Sequence, residues 1–433
     1  MNFGMNFQKN FIKKALSQIK FDNALNRMRQ SSIISKTLLQ KNTRLSDEYK
    51  CNLYLKREDL QSVRSFKIRG AYNKILNSME NSLNRSKNPT IVTVSAGNHA
   101  QGVSLTCNSL GLHHHIFLPE NTPLQKINRI KYFGKDKLTL HLHGSNFDEC
   151  LNKANEFCST NPNSIFVHPF DDEDVIIGQG TIGTEIYQDI KPDIIILPIG
   201  GGGLISGVGS YSKLMNKDCL ILGVEPENAD SMNRSLKNNE ITTVHDIDTF
   251  VDGASVKTAG KKTFEICKDV VDNTFVVDNN KLSFNMVNMY QNEGIVLEPA
   301  GALSISCLDM IDKNLLKDKN VVCILSGGNN DISRYPDIAE KALLHQGLKH
   351  YFLITFGQTP GQLKKYINNV LGPNDDITRF EYLKRNNRNL GAVLLGIELQ
   401  NNEDINNIVN KMDEFNFKYT KINPNDILYS HLI

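Results

Sequence analysis

The sequence predicts an α/β protein built on open, mostly parallel sheets and followed by a small α+β domain. Three observations carry that expectation. Between about residues 50 and 335, short β-branched runs alternate with helical stretches, the pattern of βαβ units whose strands are covered on both faces. Beyond a charged helical connector, "IAEKALLHQGLKH", the pattern becomes β-α-β-β-α-β, the order of a ferredoxin-like domain. The length of 433 residues, with 40% hydrophobic and 22% charged side chains, suffices for two or three packed domains.

The opening stretch, "MNFGMNFQKNFIKKALSQIK", is basic and amphipathic without a continuous apolar run, so residues 1–20 read as an N-terminal extension forming an ordinary helix and not as a secretory signal or transit peptide. The strands that follow are "IVTVSA" at 91–96, "HHHIFLP" at 113–119, "KLTLHLH" at 137–143, "DIIILPIG" at 193–200, "CLILGVEP" at 219–226 and "VVCILSGG" at 321–328. In the tail, strand "YFLITF", helix "PGQLKKYINNV", strands "ITRFEYL" and "GAVLLGIEL", helix "EDINNIVNKMDE" and strand "FKYTKI" complete the small domain. The expected division is residues 21–340 for the α/β part and 341–433 for the tail.

With 49 basic and 47 acidic residues the net charge is +2, which demands no nucleic-acid surface. No apolar run approaches the roughly 18–20 residues that span a bilayer. The eight cysteines are scattered, lack a C-x-x-C pair and several sit in apolar segments, as expected of reduced thiols in a cytoplasmic protein.

One lysine is out of place. After Ser65, a plausible N-cap, Ile68, Ala71, Tyr72, Ile75 and Leu76 form one apolar helical face, and Lys67 lies off it in the first turn. There the helix dipole, together with Arg64 and Arg69, disfavours an ammonium, and Gly70 removes a side chain nearby. Room and a lowered amine pKa are what a Schiff-base lysine needs.

A second motif supplies a partner. "DIIILPIGGGGLISG" is an apolar strand followed by Gly200, Gly201, Gly202 and Gly203 and a helical run from Leu204, a turn stripped of β-carbons whose N–H groups converge on a phosphate. It is neither a Walker loop nor a dinucleotide fingerprint, since Ser206 stands where a third glycine is required, so the phosphate is expected to be non-nucleotide. Ser95, Ala96, Gly97, Asn98 and His99 offer donors at the carboxyl end of another strand, and Ser326 ends a third. A lysine, a phosphate loop and two polar strand ends together describe a pyridoxal phosphate site.

The segments "YLKREDLQSVRSFKIRGAYNKI", "SAGNHAQGV", "PLQKINRIKYFG", "IGGGGLISG", "GVEPENADSM", "FVDGASV", "EPAGALS" and "CILSGGNND" closely resemble the threonine dehydratases of the fold-type II pyridoxal phosphate superfamily, and the tail resembles the single ACT-like regulatory domain of their short biosynthetic form. The resemblance runs from about residue 20 to the terminus. It implies that Lys67 carries the cofactor as a Schiff base and acts as the base, that Asn98 contacts its O3′, that Gly200, Gly201, Gly202, Gly203 and Leu204 cradle its phosphate, and that Ser326 meets its ring nitrogen. The Ser95–His99 loop would bind the substrate carboxylate. The implied reaction is deamination of L-threonine to 2-oxobutanoate and ammonia, the first committed step of isoleucine biosynthesis. L-serine is a second candidate substrate, isoleucine the effector, and a homotetramer the assembly, with no metal, nucleic-acid or membrane partner.

Two departures stand out: Thr37-Leu38-Leu39 where relatives read Thr-Pro-Leu, and Ser62 where some have tryptophan. The alternatives are a serine dehydratase, serine racemase or β-replacement synthase on the same fold, or an inactive amino-acid sensor. His113, His114, His115, His141 and His143 read as structural because strand alternation separates their side chains. Two glycosylation patterns, at Asn84 and Asn233, read as incidental.

Overall fold

The computed structural model describes residues 16–80, 88–382, 389–423 and 427–433. Most of the N-terminal extension and Asn84 therefore lie outside the described residues. The chain divides between Ile332 and Ser333 into two compact units.

The first unit holds two sheets. The larger has the order β1-β2-β10-β7-β8-β9, formed by Leu39–Lys41, Asn52–Arg57, Asn320–Leu325, Ile194–Pro198, Leu220–Pro226 and Asn273–Val277. All its neighbours are parallel except the β1/β2 edge pair. The smaller sheet, β5-β4-β3-β6, is parallel throughout and uses Leu138–Leu142, His114–Leu118, Thr90–Val94 and Ser164–Phe166. The central strands β7 and β10 are buried on both faces, as continuous Ile/Leu/Val runs require when helices cover each side. The six strands expected in this unit are present. The periodicity missed β1 and β6, which are three residues long, β2, which is interrupted by charge, and β9, which opens on the polar pair Asn273 and Thr274.

A charged element lies at the heart of this unit. Arg69 is fully buried on the helix Lys67–Glu80 and bonds Glu58 through Nε and Nη2, both at 2.8 Å, and Glu185 through Nη1 at 2.8 Å and Nη2 at 3.0 Å. Lys56 on β2 completes the group, reaching Glu185 at 2.6 Å and the Thr37 carbonyl at 2.8 Å, while the Thr37 hydroxyl donates to Glu58. Two cations and two anions cancel, and the planar guanidinium matches each carboxylate edge. The residue after Thr37 in Thr37-Leu38-Leu39 is the exposed Leu38, which lies outside this network. Ser62, exposed, donates to the Ile33 carbonyl.

The helix Lys67–Glu80 packs closely on the helix Glu173–Asp189. A Cβ at Gly70 would meet Gln179 Nε2 at 2.3 Å, and one at Gly178 would meet the Arg69 carbonyl at 2.6 Å. Gly70 thus lets two helices touch; it does not clear room beside Lys67 as expected.

The second unit is one antiparallel sheet, β12-β13-β11-β14, from Asp376–Tyr382, Leu390–Glu398, Lys349–Gly357 and Lys418–Ile422, with the helices Gln362–Asn369 and Asp404–Glu414. Phe352, Ile354 and Phe356 alternate on β11 into a core with Val393, Leu395 and Ile408, the β-α-β-β-α-β arrangement expected. The helix Tyr335–His345 goes with this unit: Glu340 accepts from the hydroxyls of Tyr351 at 2.7 Å and Tyr429 at 3.1 Å.

Replacing Arg69 by alanine leaves the buried Glu58 without a cation and Glu185 with Lys56 alone, and should lower the unfolding free energy of the first unit by about 3–5 kcal/mol. Denaturant titration followed by circular dichroism measures this, and a loss below about 1 kcal/mol would show the network to be dispensable.

Candidate active site

Every sequence-derived candidate sits at or beside the carboxyl ends of β3, β7 and β10, where the strand-to-helix turns of open α/β sheets expose backbone N–H groups. Lys67 is the first residue of its helix. It is held there by a short antiparallel stitch to the end of β10: Phe66 N–H donates to the Ser326 carbonyl at 3.1 Å, Gly328 N–H to the Arg64 carbonyl at 2.9 Å, and Ser65 bridges Gly327. Lys67 and Ser326, 259 positions apart in the sequence, are thereby brought together. Ser65 does not cap the helix. It lies in that bridge, one residue early, and its buried hydroxyl has no hydrogen-bond partner among the described residues.

The Lys67 ammonium donates to the Pro169 carbonyl at 2.9 Å and lies 5.3 Å from the Phe66 ring centroid. Burial lowers its pKa to about 8, and Glu298 opposes the shift. The lowered pKa was expected, but the cause differs. Arg69 has its charge matched by Glu58 and Glu185, and desolvation does what the arginines were expected to do. The close approach at Lys67 is made by Gly102, whose missing side chain lets the helix Asn98–Leu110 lie 3.0 Å, by its Cβ position, from the Ile68 backbone.

Asn98 opens that helix, and its amide is fixed at both ends: Nδ2 donates to Glu298 Oε1 and Oδ1 accepts from Asn329 Nδ2, each at 2.7 Å. Glu298, buried where the helix Pro299–Ser306 begins, has its pKa pushed up to about 7 by burial and Asp252. In the same loop the Ser95 hydroxyl accepts from Gly97 N–H at 3.2 Å, and a Cβ at Gly97 would meet nothing within 4 Å, so the space in front of the loop is open. The turn runs Ser95, Ala96, Gly97 into the helix, whose first N–H groups have no intrahelical acceptor. The His99 ring points inward: Nε2 donates to the Val167 carbonyl at 3.0 Å, and burial followed by Lys67 lowers its pKa to about 3.

The glycine loop follows β7. Gly202 has φ +91° and the helix Gly203–Met215 starts directly after it, with Leu204 buried in its first turn. A Cβ would strike the Phe170 ring from Gly201 at 2.3 Å and Met232 from Gly202 at 2.7 Å, and would lie 3.1 Å from the Ala254 backbone at Gly200. The loop is thus a bare backbone cradle at the start of a 13-residue helix. Ser326, buried, donates to the Ala300 carbonyl at 3.2 Å.

A cradle without β-carbons, a lysine of lowered pKa and a neutral hydroxyl together fit pyridoxal phosphate. Gly200–Leu204 would hold its phosphate, Lys67 its carbonyl carbon, Asn98 its phenolic oxygen and Ser326 its ring nitrogen. Pattern reading missed Glu298, Asn329 and Pro169. None carries a local signal, since an acid before a proline-started helix, as in "EPAGALS", is an ordinary helix start.

The histidine strands place His115 Nδ1 2.8 Å from His141 Nε2, stacked with Phe117 on the smaller sheet. Contrary to the alternation argument, adjacent parallel strands bring these two onto one face. Among the described residues no group of three or more His, Cys, Asp or Glu could hold a metal ion, and no helix is long and apolar enough to cross a membrane. All eight cysteines are free thiols. Asn233 is buried, with its side chain bound to Asp230 and Thr274.

Residues 31–327 match the family of pyridoxal-phosphate-dependent enzymes, and residues 340–432 the C-terminal regulatory domain of threonine dehydratase. Among curated proteins, biosynthetic L-threonine dehydratase IlvA of Halalkalibacterium halodurans is 46% identical over 93% of this chain and 96% of its own, and that of Staphylococcus saprophyticus 46% identical over 98% and 100%. Among solved structures, the processed form of threonine deaminase isoform 2 from Solanum lycopersicum superposes with a TM-score of 0.67 at 35% identity, covering 75% of this chain and 94% of that one. Maize serine racemase superposes with a TM-score of 0.69 at 28% identity, covering 76% and 99%.

In the cofactor-free protein, acylation of Lys67 should rise with pH through a midpoint near 8, as the neutral amine appears above its pKa. Glu298→Gln removes the carboxylate that opposes the shift, so the midpoint should fall. Peptide mass spectrometry of the labelled Lys67 peptide reads both, and a midpoint near 10.5, the value of an ordinary lysine, would overturn the assignment.

Proposed function

The chain belongs to the biosynthetic threonine dehydratases of the pyridoxal-phosphate-dependent enzyme family, and from that membership we propose how its residues divide the work. The reaction is α,β-elimination of water from L-threonine followed by hydrolysis, giving 2-oxobutanoate and ammonia, the entry to isoleucine synthesis. The observation that carries the assignment of roles is the stitch that sets Lys67 beside Ser326 and opposite the bare glycine loop.

Bound pyridoxal phosphate supplies the electron sink that makes the α-proton of an amino acid acidic. Lys67 takes that proton at Nζ, and a pKa near 8 keeps a useful fraction of it neutral near physiological pH. The N–H groups at the Ser95–His99 turn hold the substrate carboxylate. Asn98, gripped by Glu298 and Asn329, cannot swing away and so orients its amide for the phenolic oxygen. Ser326 presents a hydroxyl and not a carboxylate, so it does not hold the ring nitrogen protonated, which favours prompt loss of the β-hydroxyl over reprotonation. Lys67 then releases the product as an enamine, which water converts to the oxo acid and ammonia.

Regulation by isoleucine, a homotetrameric assembly, cytoplasmic location and acceptance of L-serine complete this reading. The match of residues 340–432 to a regulatory domain supports the first. So does a cavity of about 270 Å³ in the second unit, where Lys365 offers a cation to a carboxylate and Leu390 and Phe417 offer apolar surface to a branched side chain.

Lys67→Ala should cut 2-oxobutanoate formation from threonine by roughly 10³-fold or more and abolish the visible absorption band that borohydride removes from the unaltered protein. Undiminished turnover would sink the assignment. Isoleucine should raise the threonine KM of the full chain, and Lys365→Ala should blunt that response while leaving uninhibited turnover unchanged. Steady-state rates with and without isoleucine read both, and a response equal in the two proteins would remove the cavity from the scheme.

A further inference from the structure

The segment His168–Asp171 leaves β6 and touches three parts of the site that are remote in sequence. His168 Nδ1 accepts from Phe170 N–H at 3.2 Å and Asp171 N–H at 2.8 Å, closing a tight turn. That turn gives the Pro169 carbonyl to Lys67 and lays Phe170 against Gly201 and Gly203. It also carries Asp171 to the start of the helix Lys261–Val270. This helix begins behind Gly260, which has no side chain with which to cap it. Asp171 supplies the cap from outside: Oδ1 accepts from Lys262 N–H at 2.8 Å and Thr263 N–H at 3.1 Å, and Oδ2 from Lys261 N–H at 3.1 Å. A Cβ at Gly260 would lie 2.5 Å from Oδ1, so the glycine admits the carboxylate.

Capping fixes Thr263, which is fully buried and whose hydroxyl donates to the Gly201 carbonyl at 2.7 Å, the nearer of two acceptors, with the Gly260 carbonyl at 3.1 Å. A trans peptide is planar, with its C=O and N–H pointing in opposite directions. Anchoring the Gly201 carbonyl therefore sets the direction of the Gly202 N–H, in a loop where no side chain otherwise limits rotation and Gly202 sits at φ +91°.

We propose that Asp171, acting through the Thr263 hydroxyl, is a positioning residue that holds the Gly200–Leu204 loop in its phosphate-binding conformation. This rests on the reading of that loop as the phosphate cradle. A helix cap with only a structural role would weaken the fold and every ligand alike. Positioning of the phosphate loop predicts a loss confined to ligands that carry a phosphate.

The test uses full-length protein freed of cofactor and titrated with pyridoxal phosphate and, separately, with pyridoxal, which has the aldehyde and ring but no phosphate. Schiff-base absorbance gives each dissociation constant. Thr263→Val keeps the shape and removes the donor. It and Asp171→Ala should each weaken pyridoxal phosphate about five- to tenfold while moving pyridoxal by less than about twofold. Thr263→Ser, which keeps the hydroxyl, should restore the phosphate advantage, and the double variant should be little worse than the weaker single one, because both act on one hydroxyl. Should Asp171→Ala fail to fold, the two Thr263 variants decide alone. Equal losses for both ligands, or an unchanged constant for pyridoxal phosphate in Thr263→Val, would overturn the proposal. If the unaltered protein bound pyridoxal phosphate no better than pyridoxal, the cradle reading would fall and this proposal with it.

Discussion

The site depends first on a buried charge network that never touches it. Arg69 is two residues beyond Lys67 and is locked by four hydrogen bonds to Glu58 and Glu185, on a short helical turn after β2 and on the helix Glu173–Asp189. Burying two cations and two anions is costly, and an apolar cluster of the same volume could stabilise the fold as well. An apolar cluster would not specify direction. A guanidinium bound edge-on by two carboxylates permits one rotation of its helix, and that rotation decides where the first turn, with Lys67, is aimed.

The second constraint is how a neutral lysine is made. Lys67 lies between a carbonyl acceptor, an aromatic face and a single buried acid, and burial prevails over that acid, so the amine titrates near 8. Glu298 is itself pushed up to about 7, so the pair meets near neutrality from opposite directions. The same carboxyl grips Asn98, so one buried side chain both opposes the shift at Lys67 and fixes the Asn98 amide.

Much of this was legible in the residues. The buried β7 and β10 runs, the tail order and the four-glycine turn each has a local physical signature, and each was found. Lys67 was legible as an ammonium in a first turn. What failed were explanations that needed partners from elsewhere. Gly70 was read against Lys67 because both are near in sequence, yet its neighbours are Gln179 and Val175. Arg69 reads as a charge pressing on Lys67 when only its sequence neighbours are considered, whereas its partners Glu58 and Glu185 lie 11 and 116 positions away. Glu298, Asn329 and Asp171 carry no periodicity, and only the fold shows what they hold.

The stitch between residues 64–66 and 326–328 has a consequence in time. β2 takes its parallel partner from β10, the last strand of its sheet in chain order, and the turn that positions Lys67 closes on the residues just after β10. Such pairing is about as non-local as this unit allows, and loop closure of that length comes late in folding. The pairing that seats Lys67 beside Ser326 therefore has no partner until residue 328 has been made, so the lysine's surroundings are completed by the last strand of the sheet.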